Sequence, residues 1–279
     1  MNSYFFPTID VESWVCSDFF STNINNVEAT VSIIKPLSTI LDIFQKYNAN
    51  STFFILGETA EKCPEIVEMI YDKGHEVASH NFTHESMIKL TKSQFLNDAK
   101  KTKNILEKII NSKIHGFRSP NAKVNKNICD LSKVGYTYDS SIVNSIKIPG
   151  WYGGISNEKL PFLLSTNDFN VHQKKEKNIL EVPISSHPNL RLPFGGWWLR
   201  NLGHKYGEKA LEISLKKYKY ANVYFHPWEF TKIDYKLPWN KFHVFRNTGN
   251  YVKKSFENMI KTSLRMAKIV PIQYYLESH

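Results

Sequence analysis

The chain has 279 residues, with 36 Lys or Arg against 26 Asp or Glu, so it carries a net charge of +10 with histidine neutral. A chain of this length hides roughly 75% of its unfolded surface on folding, which removes the need for disulfides or a structural metal; any metal would serve chemistry. The 42% hydrophobic and 14% aromatic content, with 12 Gly and 12 Pro, excludes disorder, collagen-like repeats and low complexity.

In chain order, the first strand is expected at Tyr4–Ile9, running into Asp10-Val11-Glu12. Residues 1–34 hold four acids and no base, which is not the basic start of a secretory signal, so a cytoplasmic location is expected. The three cysteines, Cys16, Cys63 and Cys129, form no CxxC pair and fit a reducing compartment. Pro36 suits the first turn of a helix carrying Leu37, Ile40, Leu41 and Phe44, and Pro64 that of one carrying Ile66, Val67 and Ile70. Between and after them lie candidate strands at Ser51–Ile55 and His75–Ser79. Thr91-x-x-Gln94 is a capping box, opening a helix with Phe95, Ala99, Thr102, Leu106 and Ile109 on one face.

Strands are then expected at His115–Phe117, Tyr136–Tyr138, Ile179–Ile184, Asn222–Phe225 and Lys268–Ile272. Asn125 can cap a helix to Val134, and a last helix spans about Asn250–Leu264. Residues 143–178 and 185–202 read as irregular, the kind of segment that covers a binding site. No linker stands out, so residues 1–279 read as one domain, and the alternation of strands and helices favours an α/β fold with a parallel sheet. No apolar run approaches the roughly 20 residues that cross a bilayer.

Beyond residue 34 the balance is 36 bases against 22 acids, or +14. Lys92, Lys100, Lys101, Lys103 and Lys108 fall where a helix would face water, and no nucleic-acid motif accompanies them, so nucleic acid is not an expected partner. An anionic membrane surface or a phosphate-bearing substrate fits the charge.

The residues that end the apolar runs are polar: Asp10, His80, Arg118, Asp139 and His226. In parallel α/β folds the strand ends open on one face, where catalytic groups collect. His80 and His84, four apart, can share one ion in a tight turn, or be two unrelated histidines. Asp10-Val11-Glu12 offers either a carboxylate ligand or a polar strand terminus. Arg118-Ser119-Pro120 reads as an extended turn or as a buried arginine beside carboxylates. His226-Pro227-Trp228-Glu229 reads as a core histidine or as an acid beside a stacking ring, and Trp197, Trp198 and Trp151 as core aromatics or sugar platforms.

Taken in order, Thr8-Ile9-Asp10-Val11-Glu12, His80 to His84, Arg118-Ser119-Pro120, Tyr138-Asp139-Ser140 and Tyr224-Phe225-His226 resemble the five motifs of the polysaccharide deacetylases with a NodB-homology domain. His226-Pro227-Trp228-Glu229-Phe230, Gly195-Gly196-Trp197-Trp198-Leu199-Arg200 and Phe245-Arg246-Asn247-Thr248 resemble the exosortase-associated subgroup. The resemblance implies a distorted (β/α)7-type barrel that removes acetyl groups from an N-acetylated sugar or oligosaccharide. It also implies that Glu12, His80 and His84 hold a divalent ion, most naturally Zn²⁺, with Asp10 as base and Arg118 holding it ionised. The Asn121 backbone N–H would serve the oxyanion, and His226, oriented by Asp139, would be the acid. Val11 replaces the second of the family's adjacent aspartates, which moves the ligand to Glu12, and Asn121 replaces an aromatic residue.

Trp197, Trp198 and Trp228 are the expected sugar-stacking rings and Arg200 the expected phosphate contact. Such a substrate would be a phosphate- or lipid-linked precursor of a surface polysaccharide or glycolipid. The competing readings are a metal-poor amidohydrolase of a cyclic amide or ureide, and a non-catalytic carbohydrate-binding protein.

Overall fold

The computed structural model describes residues 3–16, 32–169, 179–234 and 239–278. Its centre is a single sheet of β1 (Tyr4–Val11), β2 (Thr52–Ile55), β3 (Glu76–Ser79), β4 (Gly116–Phe117), β5 (Tyr138–Asp139), β6 (Phe162–Leu164), β7 (Ile179–Glu181), β8 (Tyr220–Phe225) and β9 (Lys268–Ile269). The order is β6-β7-β5-β4-β3-β2-β1-β8, with β9 beside the start of β1. All pairs are parallel except β6 with β7. Setting aside antiparallel β6 and the short β9 leaves the seven parallel strands of the expected barrel.

Every residue of β1 is buried, as a strand covered on both faces must be. The two-residue period then sorts its side chains. Phe5 and Ile9 pack outward with Phe53, Phe44 and Phe225 under the helices, whereas Tyr4 and Phe6 fill the barrel interior with Phe54, Ala78, Tyr138 and Tyr220. Thr8 and Asp10 continue the inward row, so the interior turns polar at the end of β1.

Closure between β7 and β8 is irregular. Pro183 has no N–H to give, and the chain around it is held by Ser185 N–H to the Asn222 carbonyl (2.7 Å), Asn222 Nδ2 to the Val182 carbonyl (3.1 Å) and Tyr220 OH to the Pro183 carbonyl (2.7 Å). Side chains thus replace ladder bonds, and the barrel is distorted there.

The outer helices are α1 (Ile34–Lys46), α2 (Gly57–Lys62), α3 (Pro64–Asp72), α4 (Lys92–Ile110), α5 (Gly196–Leu202), α6 (His204–Tyr218), α7 (Asn250–Leu264) and α8 (Ile272–Glu277). The capping box forms as expected: Gln94 N–H donates to Thr91 Oγ1 (3.3 Å) and Thr91 N–H to Gln94 Oε1 (2.9 Å). Asn125 caps its segment too, but Lys126–Val134 is a 3-10 helix.

Several expectations are corrected. Lys103 does not face water: its ammonium donates to the Ile114 carbonyl and pairs with Glu107 at 3.0 Å. The final strand stops at Ile269, because Ile272 N–H donates to Thr52 Oγ1 (2.9 Å) and Gln273 N–H to Glu76 Oε2 (3.1 Å), which caps α8. The irregular stretch at 143–178 contains β6, and its residues 170–178 lie outside the described residues. Among the described residues no helix is long and apolar enough to cross a membrane.

Candidate active site

Register fixes the site. Ile9 lies opposite Phe225, Ser79 opposite Phe117, and Phe117 opposite Asp139, so Asp10, His80, Arg118, Ser140 and His226 emerge along one edge. Asp10, His80, Arg118 and His226 line an open cleft of about 690 Å³ with Glu12, His84, Asn121, Trp151, Trp197, Tyr224, Trp228 and Glu229.

Arg118 is 1% exposed and fully engaged. Its guanidinium donates to Asp10 Oδ1 (2.7 Å), Thr8 Oγ1 (2.7 Å), the Ser140 carbonyl (2.8 Å) and Ser140 Oγ (2.8 Å), and lies 4.0 Å over the Phe54 ring. A buried cation so placed orients the Asp10 carboxylate and matches its charge.

Glu12 turns back over the end of β1. Its Oε2 lies 2.6 Å from His84 Nε2 and 3.4 Å from His80 Nε2, and the three possible ligand atoms all fall within 4.8 Å of one another. His80 Nδ1 is 2.9 Å from the Arg118 carbonyl, which can only accept, so Nδ1 carries the hydrogen and Nε2 a lone pair. That lone pair faces a carboxylate oxygen, an arrangement that repels unless a cation lies between them. Two imidazoles, one carboxylate and an open side fit a divalent ion, and the Arg118 carbonyl orients the first ligand. Burial alone would raise the Glu12 carboxyl, but the nearby His84 and His226 imidazoles hold it well below the ordinary carboxylate range.

His226 Nε2 lies 3.4 Å from Glu12 Oε1. Burial would lower the imidazole, yet Glu12 and Glu229 outweigh it and push it up to about 9. Its expected partner, Asp139, is elsewhere. Asp139 Oδ1 accepts from Ser141 Oγ (2.6 Å) inside the barrel wall, and the acid beside His226 is Glu229, with Oε2 3.4 Å from Nδ1. The reason is positional: four strands, β4, β3, β2 and β1, separate β5 from β8 in the sheet, while Glu229 is three residues on from His226 in the 3-10 turn Pro227–Phe230.

Asp139 instead faces Glu181 on β7, its register partner. Burial raises both carboxyls, Glu181 furthest because the Asp139 charge adds to burial. One proton therefore stays on the folded pair after the unfolded chain has released it, so this stabilisation is complete below the unfolded carboxyl pKa and is lost as pH rises through the folded one. Glu181→Gln keeps an acceptor for Ile142 N–H and supplies a donor to Asp139. Relative to the parent it is expected to melt roughly 2–4 °C higher at pH 9, about 1 kcal/mol, with the gain shrinking toward pH 5. A melting difference independent of pH would contradict the shared proton.

Asn121 stands at the cleft wall in the left-handed region (φ 58°), which asparagine tolerates better than most residues. Trp197 and Trp228 also line the cleft, the latter stacked on His226 at 5.4 Å and 17°. Trp198 does not. It is buried behind Trp151 (5.7 Å, 24°) and its Nε1 donates to Tyr152 OH (2.7 Å), so it supports the wall. Trp151, which the sequence leaves open as core aromatic or sugar platform, lines the cleft, and so does Tyr224, to which the sequence analysis assigns no site role.

Arg200 reaches the cleft wall, but it is 1% exposed and its charge is matched by Glu229 Oε1 at 2.7 Å, so it is held in a buried ion pair rather than presented at the surface. The glycines ahead of it serve close packing. A Cβ on Gly195 would lie 2.7 Å from the Tyr224 carbonyl, so glycine lets α5 sit directly on β8.

Comparisons with known proteins agree with this architecture. Residues 36–138 match the polysaccharide deacetylase model, and residues 141–270 match a domain of unknown function (DUF3473). A peptidoglycan-N-acetylglucosamine deacetylase of Bacillus cereus is 34% identical over 88 residues, 32% of this chain and 32% of that protein. A peptidoglycan deacetylase of Helicobacter pylori is 28% identical over 151 residues, 52% and 51% of the two chains. The matches thus span about a third to a half of these curated relatives. A Mycobacterium smegmatis crystal structure assigned to the polysaccharide deacetylases superposes with a TM-score of 0.68 at 16% identity, over 99% of this chain and 89% of that one, and so shares the fold. Residues 36–138 are thus similar to the polysaccharide deacetylases, and the whole chain shares the fold of a solved structure assigned to them.

Proposed function

We propose that the protein hydrolyses the acetamide of an N-acetylated sugar. The observation that carries this reading is the meeting of Glu12, His80 and His84 with the Asp10–Arg118 pair and His226 in one cleft. An ion held by Glu12, His80 and His84, Zn²⁺ by the donor set, would supply Lewis acidity that makes water nucleophilic near neutral pH. Asp10, oriented by Arg118, takes the water's proton as its oxygen bonds to the acetyl carbon. The Asn121 N–H stabilises the charge that develops on the acetyl oxygen. His226 Nε2 gives its proton to the sugar nitrogen as the carbon–nitrogen bond breaks, so acetic acid and a neutral amine leave. Trp197, Trp228 and Trp151 offer apolar faces to the ring.

The Glu12–His80–His84 cluster disfavours the metal-poor amidohydrolase. The charge of +10 supports an anionic carrier, so the substrate read here is a phosphate- or lipid-linked precursor of a surface glycan, handled at or near an anionic membrane. An acetate-release screen over N-acetylated sugar nucleotides, lipid-linked sugars and oligosaccharides tests it. Release from one class is expected; none from any would overturn the proposal.

A further inference from the structure

We propose that Glu229, locked by Arg200, is the positioning residue for His226, and that three separate segments of the sequence build this single device. The inference rests on the proposed role of His226 as the proton donor.

The three segments are Gly195 to Arg200, His226 to Phe230 and Phe245 to Thr248, and they meet at one buried ion pair. Glu229 borders the cleft but has no exposed side-chain surface, so it acts through His226 rather than on a substrate directly. Its two oxygens have separate duties. Oε1 accepts from Arg200 Nε at 2.7 Å; Oε2 accepts the His226 backbone N–H at 3.0 Å and faces His226 Nδ1 at 3.4 Å. The last contact is long, as catalytic hydrogen bonds often are before substrate binds.

Arg200 ties in the third segment. Its Nη1 donates to the Val244 carbonyl (2.7 Å) and the Arg246 carbonyl (2.8 Å), while Asn247 Nδ2 donates to the Arg200 carbonyl (2.8 Å) and Gly249 N–H to the Glu229 carbonyl (2.8 Å). The absence of a side chain on Gly196 matters here too, because a Cβ would lie 3.3 Å from Glu229 Oε2. Trp228 stacks on the His226 ring, and the Arg200 guanidinium lies 5.1 Å from the Trp228 centroid. The imidazole plane is therefore set by stacking and its rotation by Glu229. Held through Nδ1, the ring presents Nε2 to Glu12 and the cleft. In the step this serves, the carbon–nitrogen bonding pair passes to the sugar nitrogen, which takes the proton from Nε2. Asp139, committed to Ser141 and facing Glu181, has no part in it.

The test separates orientation from structure by leaving group. An amine needs a proton to depart, whereas 4-nitrophenolate leaves without one. Glu229→Gln is expected to lower kcat on an N-acetylated oligosaccharide at least about tenfold, with KM and metal content kept, while hydrolysis of 4-nitrophenyl acetate stays within about twofold. Glu229→Asp keeps the charge beside Arg200 and withdraws it from the imidazole; it serves if the Gln variant does not fold, and is expected to show the same selective loss. Asp139→Asn is expected to show no such selectivity. Equal losses on both substrates, or no loss on the amide, would overturn the proposal. A parent enzyme that cleaves the aryl ester but no N-acetylated sugar would instead remove the proposed function, and this inference with it.

Discussion

His80→Ala and His84→Ala are each expected to lose the bound divalent ion and at least about a thousandfold in kcat/KM, equivalent to roughly 4 kcal/mol of transition-state stabilisation. The size follows from the ligand count. With three protein ligands, removing one imidazole leaves a single imidazole and one carboxylate, too few to hold an ion against water. His80 carries a further consequence, because its Nδ1–H also ties the end of β3 to the Arg118 carbonyl at 2.9 Å. His84→Ala is therefore the cleaner variant and is expected to melt closer to the parent. Metal content per chain, measured alongside acetate release, checks both. Stoichiometric metal in both variants would show that the ligands lie elsewhere.

Asp10→Asn and His226→Ala are expected to lower kcat by at least about a hundredfold each while metal stays bound, as loss of a proton-transfer group does. The two differ in stability. Asp10→Asn leaves an acceptor for Arg118 but removes the counter-charge of a guanidinium that is 1% exposed, so its melting temperature is expected to fall. His226→Ala empties a position at the cleft, with 16% of its side chain exposed, and is expected to cost less. On 4-nitrophenyl acetate the two should separate: Asp10→Asn remains impaired because water must still lose a proton, whereas His226→Ala recovers much of the parent rate. Near-parent turnover of an N-acetylated sugar by either variant would refute the assigned roles.

Much of the site was legible because strand ends are local features. Asp10, His80, Arg118 and His226 each follow a short apolar run, and a parallel sheet brings such positions to one edge whatever the helices do. The capping box at Thr91 and the proline starts were legible for the same reason, since their hydrogen bonds reach no more than three residues.

What was missed depends on distant partners. Asp139 precedes His226 by 87 positions, and nothing in the spacing tells that β7 intervenes and takes Asp139 for Glu181. The local alternative did carry a signal. Pro227 at the first helical position and Glu229 two residues later form the return half of a capping box, which aims the carboxylate back at the His226 N–H. Gly195-Gly196 falls in the stretch 185–202 that reads as irregular, because glycine breaks the local pattern when no neighbour is known; here the neighbour is the β8 backbone and the segment is α5. Arg200 looked like a surface cation because nothing in its own segment neutralises it. Its counter-ion lies 29 residues downstream.

The most direct measurement is acetate release from N-acetylated oligosaccharides by the purified protein as isolated, after chelation, and after return of one equivalent of Zn²⁺ per chain. Release that disappears on chelation and returns with the single equivalent, in the parent but not in His84→Ala, is the predicted result. Release that persists in verified metal-free protein, or metal-loaded protein that releases no acetate, would contradict the account.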